Sequence, residues 1–413
     1  MKKVVNKKTD IVIIGAGIAG LACAMKLKKN NRNFIIIEQS DRVGGRVGSI
    51  KENEYIFDLG FQVYNTEYYK TNSLLNLKEL KLKVFKPGAS IYNGRRFEIL
   101  SDPFRDPSTI LETFFSGMTT FKDKIKILTL KRALSSYCIS EDQSEDMTTL
   151  KYLKSYGFSN KIINGFFKPF FSGIFLENQL ETSSKFFKNV FSNFNKGYAA
   201  VPVNGMQAIP DQMVKNLNPH NLLLGNKVIE AKNPEKIVLE NNEIIEAKYM
   251  VLTGGSNSLV NNHIVEFNSV RTFYFSSRVK VKHSKYINLF PYDSLINNIA
   301  ILSSVSENYS PEGNTLFSIT IIESDLSKSE LIDIIQDKLS TYYGDEKSNY
   351  IFMKEINIKQ ATIKQKTGYF DLKIEDKKNI LFAGDYTTYG SIEGAVVSGI
   401  KTAEKLISMS AQI

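Results

Sequence analysis

The chain has no tryptophan, three histidines and two cysteines in 413 residues. Cys23 and Cys138 cannot make a disulfide framework, and His220, His263 and His283 stand too far apart in sequence to suggest a metal-ligand cluster. No apolar run approaches the roughly twenty residues that cross a bilayer, so no transmembrane helix is expected. The basic start, MKKVVNKKTD, has the charge of a signal peptide. The apolar run behind it, Ile11 to Ile14, is cut at once by Gly15 and Gly17 and carries no cleavage pattern. Internal repeats and low-complexity linkers are also missing. The expected setting is therefore reducing and cytoplasmic.

A net charge of +10 directs attention to nucleic acid or anionic lipid. The lysines are scattered rather than blocked, however, and no aromatic-plus-basic RNA-binding module is present, so nucleic acid is not an expected partner. One segment keeps peripheral membrane contact open. Between Thr120 and Leu134, Lys122, Lys124, Lys126, Lys131 and Arg132 surround apolar residues, a pattern that reads first as a soluble amphipathic helix but also suits an anionic membrane surface.

The length exceeds one ordinary core, so two interlocked domains are expected. Short apolar runs at Ile11–Ile14 and Phe34–Ile37 flank a helix from about Gly17 to Lys29, as in a parallel sheet buried on both faces. A strand ending near Asp58–Gln62 and a helix over Tyr68–Leu80 come next. Short strands turn at Asn93-Gly94. Helices are expected over Leu111–Ser135, Lys151–Phe194 and Gly205–Leu217, then strands at Val228, Ile237–Leu239, Tyr249–Leu252, Val270–Ser277 and Ile299–Val305. Leu326–Leu339 is amphipathic, through Leu331, Ile334, Ile335 and Leu339. Ile380–Ala383 is a strand, and a helix runs from about Glu393 to Ser408.

Gly15-Ala16-Gly17-Ile18-Ala19-Gly20 is a G-x-G-x-x-G placed between the first strand and the helix. Gly15 allows the tight turn, Gly17 lets backbone approach a pyrophosphate, and Gly20 lets helix and strand pack closely, while the helix N-terminus offers free N–H groups to phosphate. Glu38 and Gln39 end the next strand about twenty residues on, where an acid accepts hydrogen bonds from ribose hydroxyls. This fingerprint implies a dinucleotide without choosing between NAD and FAD.

The next residues along the chain make that choice. Asp41-Arg42-Val43-Gly44-Gly45-Arg46 resembles the second FAD motif of the flavin amine oxidase superfamily, which also holds protoporphyrinogen oxidases and phytoene desaturases. Phe57-Asp58-Leu59-Gly60-Phe61-Gln62 is similar to the family's strand ending in a glycine beneath the isoalloxazine ring, with Phe61 and Gln62 where many members have a second glycine or a histidine. Gly205-Met206-Gln207-Ala208-Ile209-Pro210 looks like the segment returning to the FAD domain. Val228 stands where the family contacts adenine, and Tyr249–Gly254 resembles the strand closing the nucleotide fold. Phe382-Ala383-Gly384-Asp385 and the later Ile392–Gly399 resemble the distal FAD motif, in which a helix N-terminus faces the flavin.

The resemblance implies an α/β fold: a discontinuous Rossmann-like FAD-binding domain (residues 1–80, 200–262 and 378–413) with an inserted α+β substrate domain (81–199 and 263–377). It implies FAD held by Gly15, Gly17, Ala19, Gly20, Glu38, Gln39, Gly45, Arg46, Gly60, Phe61, Gln62, Val228, Gly384, Asp385, Glu393, Gly394 and Ala395. No second G-x-G-x-x-G follows a strand, so a substrate is expected to reduce the flavin directly, with oxygen or a quinone reoxidising it. No catalytic residue is assigned. The lysine that faces the flavin through water in many amine oxidases finds no match around Asn297–Ala300, while Tyr386 and Tyr389 remain candidates for the flavin's surroundings. Nine phenylalanines between Phe166 and Phe194 are spaced as a helical core, yet an apolar tunnel for an isoprenoid or tetrapyrrole would use the same residues. The leading expectation is an FAD-dependent oxidoreductase of a hydrophobic substrate. An amine oxidase for a small amine or polyamine and a flavin-dependent isomerase without net redox turnover are the alternatives.

Overall fold

Two sheets of seven strands each organise the chain. The computed structural model describes residues 6–102, 104–260, 265–372 and 374–410, so His263 and the extreme ends of the expected nucleotide domain lie outside the described residues.

In the first sheet Asn6–Ile14 is central. Phe34–Ile37 runs parallel to it on one side, with Leu222–Leu223 beyond, and Ile244–Thr253 runs parallel on the other. This long strand changes partner along its length. Its first half is antiparallel to Lys236–Leu239, which pairs with Val228–Asn233, and its second half is parallel to Ile380–Ala383. Both faces are covered: Ile11 and Ile13 enter one core while Val12 and Ile14 enter another, the two-residue alternation of a strand. Helices Ile18–Lys29 and Ile392–Ser410 cross tightly on one face. A Cβ added to Gly399 would stand 2.2 Å from the Ala19 carbonyl oxygen, so glycine sets the depth of that crossing.

The second sheet has the order Ile351–Ile363, Phe267–Ser277, Thr315–Ile321, Asn298–Ile301, Ile287–Leu289, Gly88–Tyr92, Phe97–Ser101. Its one parallel contact joins Ile287–Leu289 to Gly88–Tyr92. Phe273, Ile299, Phe317, Ile319 and Ile321 pack on helix Lys328–Tyr343 through Leu331, Ile335 and Leu339. A helical block between residues 110 and 196 completes the molecule around a core rich in phenylalanine.

Several elements differ from the expected ones. Tyr68–Leu80 is two short helices, Tyr69–Asn72 and Leu77–Leu80, because the Asn76 side chain accepts from the Glu79 N–H and starts a new turn. Leu111–Ser135 breaks between Ile110–Phe115 and Phe121–Ala133, where Thr120 and Asp123 form a reciprocal capping box. Lys151–Phe194 is likewise divided, and Ser183 caps its final helix, Ser184–Lys196. Ile299–Val305 is strand only as far as Ile301, and Leu302–Val305 is a turn of helix. Thr315–Ile321 and Ile351–Ile363 are strands that match no expected element.

Candidate functional site

The glycine loop sits where the strand Asn6–Ile14 hands over to the helix Ile18–Lys29. Gly15 has φ +106°, and a Cβ there would meet Thr253 Oγ1 at 2.2 Å, so both conformation and space require glycine. A Cβ on Gly20 would lie 2.1 Å from the Gly15 carbonyl oxygen. Gly17 is different: nothing lies within 4 Å of its Cβ direction, which opens into the groove. The second glycine pair lies alongside. Gly44 N–H donates to the Ala16 carbonyl at 2.8 Å, and the Cβ direction of Gly45 points to the Gly17 Cα at 3.3 Å. Two glycine turns thus face each other with no side chain between them.

Glu38 ties these turns to the sheet. Its carboxylate accepts from the backbone N–H of Ala16 (2.8 Å), the N–H of Ser40 (3.0 Å) and the Ser40 hydroxyl (2.9 Å). A carboxylate offers about four lone-pair directions, which leaves about one for a ribose hydroxyl. Gln39 beside it is exposed. Val228 opens its strand close by, two residues after Asn226, whose N–H donates to the Glu38 carbonyl at 2.9 Å. Arg42, absent from the expected set, holds the second turn from behind by donating to the carbonyls of Gly45 (2.5 Å) and Val43 (3.1 Å) and to Gln207 Oε1 (3.1 Å).

Arg46 joins the two ends of the sequence. Its Nη2 lies 2.5 Å from Asp385 Oδ1, and its Nη1 donates to the Ala361 carbonyl at 3.2 Å. Burial disfavours the Arg46 charge, but the Asp385 charge and hydrogen bond outweigh it and raise its pKa. Gln62 Nε2 donates to the carbonyls of Arg46 (2.7 Å) and Leu59 (2.6 Å), leaving Gln62 Oε1 buried without a partner. Gly60, at φ +83°, supplies the left-handed turn between them. Gly384 N–H donates to Ser398 Oγ, which anchors the Asp385 turn on the final helix.

At that helix N-terminus the expected residues have contacts within the protein. Glu393 accepts from the N–H groups of Lys70 (2.8 Å) and Thr71 (2.9 Å) and from the Thr71 hydroxyl (2.5 Å), so its carboxylate is bonded to helix Tyr69–Asn72. Gly394 N–H donates to Ser391 Oγ, and a Cβ on Gly394 would stand 1.9 Å from the Tyr389 carbonyl oxygen. Ala395 is buried in the main core. Tyr386 points into the core, its hydroxyl donating to the Leu252 carbonyl, and Tyr389 packs against the phenylalanine core.

Next to Gln62 a cavity of about 510 Å³ opens, walled by Phe61, Phe85, Phe166, Phe170, Ile174, Phe191, Phe194, Ile287 and Leu289. The phenylalanine segment is therefore divided between core and cavity wall. Phe167, Phe175, Phe186 and Phe187 fill the core, while Phe166, Phe170, Phe191 and Phe194 line the cavity. The outer part of the cavity is lined by Phe104, Ile110, Phe114, Phe121, Ile125 and Leu128, all of them exposed. Among the described residues no group of three or more His, Cys, Asp or Glu side chains is placed to hold a metal, and no helix is long and apolar enough to cross a membrane.

A family model described as flavin containing amine oxidoreductase matches residues 18–407. The chain belongs to this family. Its cofactor is FAD, and the groove fits that group: the Gly17 face is open, two glycine turns border it, and Gln62 presents a buried acceptor with no partner in the protein. Among curated relatives, protoporphyrinogen oxidase 2 of Arabidopsis thaliana is 23% identical over 257 residues, covering 53% of this chain and 49% of that protein. A 1-hydroxycarotenoid 3,4-desaturase of Flavobacterium sp. is 27% identical over 186 residues, covering 43% and 36%. The chain spans about half or less of the length of these relatives. Among solved structures, a putrescine oxidase superposes with TM-score 0.74 at 16% identity, over 98% of this chain and 100% of the other, which shows a shared fold.

Proposed function

We propose that this chain is an FAD-dependent oxidoreductase that removes hydride from a hydrophobic, isoprenoid- or tetrapyrrole-like substrate, with oxygen or a quinone as the final acceptor. One observation carries this reading. Phe61, which walls the cavity, lies between Gly60 and Gln62, and Gln62 is bonded to the Arg46 carbonyl in the FAD groove. Cofactor groove and apolar cavity therefore share a wall one residue thick.

We read residues 1–80, 200–262 and 378–413, which contain the strands of the first sheet, as the nucleotide half, and 81–199 with 263–377, which contain those of the second, as the substrate half. The N–H groups of the Gly15–Gly20 turn and the helix behind it receive the phosphates. Glu38 takes a ribose hydroxyl, Val228 borders the adenine, and Arg46 supplies positive charge beside the pyrophosphate and ring. Gln62 Oε1 accepts from a ring N–H. Bound FAD supplies a two-electron hydride acceptor, and for that chemistry the protein contributes position and exclusion of water more than an acid or base. The apolar walls provide both.

The cavity mouth supports a membrane-peripheral location. Phe114 (55% exposed) and Phe121 (65% exposed) line it, and the exposed cations Lys122 and Arg132 lie on the helix that Phe121 begins. A lipid-soluble substrate would pass from the bilayer into the cavity without crossing water.

Anaerobic titration of the FAD-loaded protein tests the assignment. Bleaching of the flavin by a polyene or a porphyrinogen, and none by putrescine or spermidine, is expected. Bleaching by the polyamines alone would instead make it an amine oxidase. Product isomers without bleaching would make it an isomerase, and refusal to bind FAD would end the reading.

A further inference from the structure

The second sheet turns two unlike faces to its neighbours. Phe273, Ile299, Phe317, Ile319 and Ile321 form the apolar face on helix Lys328–Tyr343. On the other face Thr272 stands opposite Thr320, and Thr320 stands opposite Asn298, so three polar side chains from three adjacent strands form one row. They are almost completely buried, at 0%, 2% and 3% exposure. Thr272 Oγ1, Thr320 Oγ1 and Asn298 Nδ2 all lack a hydrogen-bond partner. Buried polar atoms are almost always paired, so three orphans in a row on one face require a ligand or solvent.

The row has two defined ends. Thr272 Oγ1 is 3.7 Å from the Cβ direction of Gly60, the turn that leads to Gln62. Asn298 lines the apolar cavity with Leu289 and Gly173. Strand spacing makes the row about 10 Å long. The orientation of the Asn298 amide is fixed by a neighbour: Asn297 Nδ2 donates to both Asn298 Oδ1 (2.9 Å) and the Pro169 carbonyl (3.2 Å). Turning the amide over would set two N–H donors against each other, so Asn298 offers the site a donor. None of the three groups is charged.

We propose that this row is the polar end of the substrate cavity, and that it takes one neutral oxygen, carbonyl or hydroxyl, of an otherwise apolar substrate. The proposal rests on the reading of the cavity as a substrate site and adds to it the polar group that orients the ligand. A carbonyl at the Asn298 end accepts through its two lone pairs from Asn298 Nδ2 and from the adjacent Thr320 hydroxyl, while Thr272, two strand spacings away, is left to solvent. A hydroxyl accepts from Asn298 and donates to Thr320. An ammonium has no lone pair for Asn298 Nδ2, so the row selects against amines.

The chain contains no tryptophan, so Phe170→Trp places a single fluorescent reporter in the cavity wall. Undecane, undecan-2-one and undecylamine, of equal chain length, are titrated against the FAD-loaded Phe170→Trp protein. The ketone should change the tryptophan emission at about ten-fold lower concentration than the alkane, the scale of one well-made buried hydrogen bond, and the amine should gain nothing. Thr320→Val, which keeps the side-chain shape, and Asn298→Leu should each bring the ketone to within about three-fold of the alkane while leaving alkane affinity unchanged. If Asn298→Leu fails to fold, Thr320→Val decides. Equal affinity for ketone and alkane overturns the proposal, as does a preference that survives these substitutions or no response to either ligand. Flavin content, read separately at 450 nm, and bleaching by substrate report on the oxidoreductase reading, so the two ideas fail by different observations.

Discussion

Arg46 Nη2 lies 2.5 Å from Asp385 Oδ1, an ion pair between residues 339 positions apart. Removing the arginine leaves a nearly buried carboxylate without its cation. Breaking a buried pair costs about 3–5 kcal/mol, but the Arg46 side chain is 35% exposed, so water screens part of the loss. Arg46→Ala should lower unfolding stability by about 2 kcal/mol in urea titration and release FAD on gel filtration. Arg46→Lys should keep the stability better than the flavin, because it retains charge and loses the planar fork that reaches Asp385 and Ala361 together.

The first glycine turn allows a sharper contrast. A methyl group on Gly17 meets nothing within 4 Å, whereas one on Gly20 meets the Gly15 carbonyl oxygen at 2.1 Å. Gly17→Ala should therefore leave the melting temperature of FAD-free protein within about 2 °C of the parent, the shift expected of a change under roughly 1 kcal/mol in a chain of this size. It should bind FAD at least ten-fold more weakly. Gly20→Ala should lose stability and FAD together. Equal melting losses in the two variants would refute the assignment of the open face.

Asp58 is buried and accepts from Ser49 Oγ (2.5 Å), Met206 N–H (3.0 Å) and Tyr309 OH (2.7 Å). Burial still dominates and raises its pKa to about 6. The folded chain thus binds this proton more tightly than the unfolded chain, whose carboxyl titrates near ~3.9. The associated stability is fully present below about pH 4 and is lost as pH rises through about 6, a change of up to roughly 3 kcal/mol. Asp58→Asn should flatten that part of the stability profile, measured by urea unfolding between pH 4 and 7.

Glu393→Gln should cost about 1–2 kcal/mol, because the weaker amide acceptor holds Lys70 and Thr71 less well. Its flavin content should stay near that of the parent. Loss of FAD at unchanged stability would assign Glu393 to the cofactor.

The rim of the cavity can be tested with lipid. Co-sedimentation with vesicles containing anionic phospholipid should exceed that with neutral vesicles, and added salt should weaken it. Phe114→Ser with Phe121→Ser should reduce it several-fold.

The nucleotide end is legible in the sequence because its chemistry demands particular residues at fixed spacings. Gly15 and Gly20 each have a backbone or side-chain atom where a Cβ would go, so the fold leaves a mark in the sequence. The substrate half leaves no comparable mark. Phe166 and Phe167 read alike, yet one faces the cavity and the other the core, since helical spacing gives the face but not what lies against it. Ile351–Ile363 does not read as a strand because it lies at a sheet edge, with Lys354, Glu355 and Lys359 diluting its apolar pattern. The Glu393 motif is visible, but its partners Lys70 and Thr71 lie 322–323 residues away and carry no signal of the contact. Thr272 and Asn298 carry no signal either, since isolated polar residues in a strand look ordinary until the register aligns them.

The strand Ile244–Thr253 also constrains how the molecule is made. Asn6–Ile14 lies along one edge of it, and the second half of its other edge is covered only by Ile380–Ala383. During synthesis the ribosome must deliver more than a hundred further residues before that half of the edge is paired. Until then an apolar strand edge stays open to stray pairing, and parallel pairing over such sequence distance is slow. The Asp385 turn that meets Arg46 follows Ile380–Ala383, so the flavin groove cannot be completed before that strand has been delivered.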